Sequence, residues 1–125
     1  MAKWAEEEVA VLAYFASLGV QRHVITQLLT ERGYHRTDSS VTHKIEDLIK
    51  SWNLRDNGSW NLNRVDELLN ILDVDFISLL QPTAKDQEII NHFQSDINLW
   101  ACHLARRTRD AEYLMSHGLG EDYRP

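Results

Sequence analysis

Residues 36–50 hold the densest set of side chains suited to contact chemistry. Ser39, Ser40, Thr42 and His43 carry hydroxyl and imidazole groups that hydrogen-bond base edges, and Arg36 and Lys44 reach phosphate or base. Arg22, His23, His35 and Lys50 add candidate backbone contacts. On a helix spanning 38–51 the outward positions are Ser39, Ser40, Thr42, His43, Glu46, Asp47 and Lys50. Asp38, Glu46 and Asp47 outweigh Lys44 and Lys50 there, leaving that helix one negative charge. A helix of that charge gains little affinity from displaced counterions.

Other constellations are weaker. Glu88, His92 and Asp96 recur every four residues, with His103 two turns further on. A metal needs three or four converging ligands, whereas spacing by four on one helix is the pattern of solvated ion pairing, so neither metal nor cofactor is assigned. Cys102 and His103 are too close in sequence for a catalytic pair, and Cys102 beside Trp100 and Ala101 reads as a buried thiol. Arg106, Arg107 and Arg109 form the densest basic cluster, a second candidate for nucleic acid or an acidic partner, although Asp110 and Glu112 make a solvated face the plainer reading. No phosphate-binding glycine loop, nucleophile elbow or zinc-protease helix occurs, so the expectation is a binding protein and not an enzyme.

The 125 residues fit one domain, with 43% hydrophobic and 26% charged residues and only five Gly and two Pro. The single Cys excludes an internal disulfide framework and a multi-cysteine zinc site. No apolar run is long enough to span a membrane. Glu6-Glu7-Glu8 stands where a secretory leader needs an apolar stretch, so a reducing intracellular compartment is expected. The formal net charge is −6, and it is unevenly spread. Residues 1–50 hold six basic and seven acidic residues, and residues 51–125 hold seven and twelve. The acid therefore belongs mostly to the second half.

The elements that position these residues read as helices throughout. Helical spacing predicts helices over Trp4–Leu18, Arg22–Arg32 and Asp38–Ser51, with Gly19 and Gly33 as stops and Thr37 or Asp38 as an N-cap. Asn53–Ser59 is a loop with a turn at Asp56-Asn57-Gly58. A fourth helix is predicted over Leu62–Asp73 and a short one over Val74–Leu80, ended by Gln81-Pro82. Thr83-Ala84-Lys85-Asp86 matches a capping box. From Lys85 to Ser116 there is no Gly or Pro, which predicts one long helix stopped by Gly118, before a frayed tail over Glu121–Pro125. Ile90, Phe93, Ile97, Trp100 and Leu104 make an apolar stripe along it, continued by Ala111 and Leu114. That stripe serves either an internal core or a partner helix.

Trp4-x-x-Glu-Glu-Val-Ala-Val-Leu, the apolar run Val24–Leu29 and Arg36-Thr-x-x-Ser-Val-x-x-Lys-Ile together resemble the Myb/SANT-like helix-turn-helix family, in a variety common in fungal proteins. Two further tryptophans usual in that family are replaced: an aliphatic residue, Val24 or Ile25, takes the middle position, and Trp52 lies a few residues late for the last. The resemblance implies a tri-helical domain at 1–52; with the helical spacing beyond it, the expected fold is all-α, with a helical extension at 60–118 packing on that domain or on a partner. It implies a nuclear module that binds double-stranded DNA or chromatin in transcriptional or chromatin regulation. The third helix would be the recognition helix, with Arg36, Ser39, Ser40, Thr42, His43, Lys44 and Lys50 making contact. It also suggests Arg36 pairing with Glu7 or Glu8. The SANT branch implies the alternative, a module that binds a basic peptide or a partner helix, and the apolar stripe Ile90, Phe93, Ile97, Trp100 and Leu104 adds a candidate homo- or hetero-oligomer seam.

Overall fold

Three glutamates open the first helix, where carboxylates oppose the partial positive charge of the N-terminus. The structure, a computed structural model, describes residues 3–106. It places α1 over Glu6–Ser17, α2 over Arg22–Glu31 and α3 over Asp38–Trp52. A two-residue hairpin follows, β1 at Arg55–Asp56 and β2 at Ser59–Trp60. Then come α4 over Leu62–Ile71, α5 over Phe76–Leu80 and α6 over Ala84–Phe93. A further helix, α7, starts at 99 and is described to 106. The predicted all-α character holds, with the small hairpin as the addition.

Past its first turn α1 has no polar face, and every residue from Glu8 to Ala16 is buried. A helix apolar on all sides must be surrounded. Helices α2, α3, α4 and α5 all pack against α1, and α6 packs against α2. One core results: Leu12, Phe15, Ile25 and Leu28 from the first half join Val65, Leu80, Ile90 and Leu99 from the second. Residues 60–106 thus pack on α1–α3.

The local signals explain the ends of these elements. The Thr37 side chain accepts from the Ser40 N–H at 3.0 Å and caps α3. Asn53, at φ 54°, ends it. In the hairpin Asn57 and Gly58 have φ of 52° and 83°. Two successive positive φ values make the primed turn whose twist suits a two-residue loop. Arg55 then pairs with Trp60 and Asp56 with Ser59. The capping box at Thr83 and Asp86 forms as expected, with both reciprocal bonds at 3.0 Å.

The long helix predicted over 85–116 is corrected: α6 ends at Phe93, and α7 begins only at 99. Ser95, Asp96 and Asn98 offer the backbone local alternatives to helical bonding. Asn98 Oδ1 accepts from the Ala101 N–H at 3.1 Å and caps α7. Two glutamines, Gln87 before the break and Gln94 at its start, hold it. Gln94 Oε1 accepts from the Gln21 N–H, and its Nε2 donates to Gly19 O, each at 3.0 Å. Gln87 Oε1 accepts from the Leu99 N–H at 2.8 Å while its Nε2 donates to Ile97 O at 3.2 Å. The Gln94 partners lie more than seventy residues away in the chain, beyond the reach of a helical repeat. The remainder of the predicted helix, with Ala111, Leu114, the Gly118 stop and the tail, lies outside the described residues.

Candidate functional site

Helix α3 is the element the sequence singles out, and its buried face is Val41, Ile45 and Leu48. The opposite side carries Ser39, His43, Glu46, Asp47 and Lys50, all exposed, with Ser40, Thr42 and Lys44 half-buried. Ser39, Ser40, His43 and Lys44 line one groove together with Trp4, Thr37 and Asp47. Four of the seven predicted contact residues are therefore brought together. Thr42 does not line that groove, and Lys50 lies in the last turn of α3.

Arg36 is placed differently. Its Nε donates to Glu8 Oε2 at 2.5 Å, and Nη2 donates to Glu8 Oε1 at 2.8 Å and to Lys3 O at 2.9 Å. Its guanidinium carbon sits 4.3 Å from the centre of the Trp4 ring, and its side chain is 12% exposed. The paired guanidinium holds the Glu8 carboxyl below its ordinary range against the opposing effect of burial, and the Ala5 N–H helps. Glu8 in turn raises Arg36. This is the Arg36–Glu8 bridge that the resemblance suggested, and it turns the guanidinium inward.

Arg22 and Lys44 beside α3 are also matched by acid, and His23 contacts one. Arg22 pairs with Glu46. His23 Nδ1 lies 2.8 Å from Asp38 Oδ2, and the Thr26 hydroxyl, then His23, hold the Asp38 carboxyl low. Lys44 Nζ lies 3.8 Å from Asp47 Oδ2. Among the described residues Lys50 is in no ion pair. What remains on the solvent side of α2 and α3 is a surface on which acid at least equals base.

A second concavity had no sequence signal, because its walls come from four helices and the loops between them. Glu7, Glu31, Tyr34, Asp75 and Ser78 surround it, with Arg32 and Asp86 at its base. Arg32 donates to both Asp86 oxygens at 2.9 and 2.7 Å and to the carbonyls of Leu79 and Leu28 at 3.1 and 3.2 Å. Burial, then Glu7 and Glu8, push the Tyr34 hydroxyl up. Ser78, through its hydroxyl and its N–H, holds Asp75 low. The spatial grouping of Glu7, Glu31 and Asp75 appears only when the chain is folded.

The remaining candidates are dispersed. Of the apolar stripe, Ile90 is buried and Ile97 half-buried, while Phe93 is 42%, Trp100 41% and Leu104 66% exposed. Glu88 pairs with Lys85 at 3.7 Å, and His103 Nδ1 shares a hydrogen bond with the Tyr14 hydroxyl. Cys102 is half-buried with a free thiol. Arg106 is buried against Asp66, whereas Arg107 and Arg109 lie outside the described residues. No family model, curated protein or solved structure matches the chain.

Proposed function

We propose that this protein is a Myb/SANT-like module of nuclear, chromatin-type function that binds a basic protein segment through the outward face of α3. The observation that carries the reading is the charge pairing on α2 and α3. Arg36 is turned inward onto Glu8, and Arg22, His23 and Lys44 are each matched by an acid of α3. A duplex would meet a surface that repels phosphate as much as it attracts it. A lysine- or arginine-rich segment would compete with His23, Arg22 and Lys44 for the exposed carboxylates of Asp38, Glu46 and Asp47.

A second reading, binding of double-stranded DNA, is supported by the groove beside Trp4. It gathers Ser39, Ser40, His43 and Lys44, which offer hydrogen bonds of the kind base edges accept. One experiment separates the two. Amide resonances are followed while a lysine-rich peptide or a mixed-sequence duplex is added at low salt. The first reading expects shifts on α3 with the peptide and their loss in the double variant Glu46→Lys, Asp47→Lys. Saturable binding of the duplex, weakened by salt and by Lys44→Ala with Lys50→Ala, would replace it with the second.

A further inference from the structure

The stripe Phe93, Ile97, Trp100, Leu104 keeps helical spacing straight through the segment where the helix is broken. The chain has no Gly or Pro there. The break is held by Gln87, whose side chain reaches across it to Ile97 O and Leu99 N–H, by Gln94 within it, which is tied to the α1–α2 turn, and by the Asn98 cap. If those bonds open, the backbone groups of 94–98 can be satisfied by continuing α6 into α7. Straightening lifts α7 off its own cradle, which is formed by α1 and α4. There Arg106 donates to Asp66 and to Ser17 Oγ and lies over the Tyr14 ring, His103 meets the Tyr14 hydroxyl, and Leu99 is buried.

We propose that residues 94–98 are a hinge through which two copies of this chain exchange α7. Each copy straightens α6 into α7 and docks α7 on the α1–α4 cradle of the other. The occupant follows from the cradle itself: its contacts are made to side chains of α7, so an identical α7 satisfies them without redesign. The exposed side chains gain a role at the same time. On a straight helix Phe93, Ile97, Trp100 and Leu104 fall on one face, and the two crossing helices cover them. In the closed monomer Phe93, Trp100 and Leu104 remain substantially exposed.

Charge reversal tests the exchange directly. Arg106→Asp and Asp66→Arg are made in separate chains, so that each alone places like charges at its own α7–α4 contact. Unfolded together in equal amounts and refolded, they are expected to form a species of double the single-chain mass containing one of each, because exchange of α7 between the two variants restores opposite charges at both contacts. A refolded mixture holding no such heterodimer by native mass spectrometry overturns the proposal, whether or not either variant folds alone. The hinge gives an independent readout. Ser95→Ala, Asp96→Ala and Asn98→Ala together favour the straight helix by roughly tenfold per chain, so dimer fraction and helicity should rise together. Asp96→Pro should hold the chain monomeric, because proline cannot continue the helix. A hinge variant that stays monomeric, or a proline variant that dimerises equally, also overturns it.

Discussion

Arg32, Arg36 and Arg106 each lie over an aromatic ring of the N-terminal segment, Phe15, Trp4 and Tyr14 respectively. Each also closes on a carboxylate, Asp86, Glu8 or Asp66. The planar guanidinium suits this double role, stacking by its face and donating from its edge. The residue types were visible in the sequence, and the resemblance pointed Arg36 at Glu7 or Glu8; that Arg32 and Arg106 would also close on acids was not visible, because it depends on carboxylates supplied by other elements. Removing one partner strands a charge, and Glu8→Gln is expected to cost about 3–5 kcal/mol in denaturant unfolding. The same variant tests the pH dependence. The folded Glu8 carboxyl lies below its ordinary value, so as pH falls the unfolded chain takes up the proton first. Its stabilisation is complete above a carboxyl pKa of about 4.3 and is lost as pH falls through the lower folded value. Glu8→Gln should therefore flatten the acid limb of a stability-against-pH curve. A variant with an acid limb as steep as the natural chain's would remove Glu8 from that role.

At the scale of elements, caps and turns were legible because their causes are local. The hydroxyl of Thr37 caps α3 within three residues, and Thr37→Val should cost about 1 kcal/mol on chemical denaturation. Gly58 stands at φ +83° with nothing within 4 Å of a built side-chain carbon. Gly58→Ala is then strained by backbone alone, and a loss of about 1–2 kcal/mol is expected in the same measurement. Pairing of Arg55 with Trp60 across that turn was not foreseen, since a two-residue strand has no pattern of its own. The break after Phe93 was missed for a different reason. The spacing of 90–104 is helical on both sides of it, and the bonds that hold it open are made by Gln87 and by Gln94 with the α1–α2 turn.

For the whole molecule, α1 decides the architecture. Its flanks are covered by α4 and α5 as well as by α2 and α3, so residues 1–60 alone would expose apolar surface that the full chain buries. That fragment is expected to lack a cooperative thermal transition by circular dichroism, and Ile90→Ala, buried far along the chain, should destabilise the full chain by about 2–5 kcal/mol in one transition. A fragment melting as cooperatively as the whole would instead support separate units at 1–52 and 60–118. Sequence by itself determined that the protein is helical, where most helices begin, which residues cap α3 and α6 and that its charge is acidic, because each follows from spacing, neighbouring groups or composition. Tertiary structure alone decided that Glu8 and not Glu7 is the acid that Arg36 meets, that Arg22 meets Glu46, that Glu7, Glu31 and Asp75 gather, and that the last predicted helix is broken. Those outcomes turn on groups far apart in sequence whose distances exist only once the core has closed, and Coulombic and hydrogen-bond energies depend on those distances.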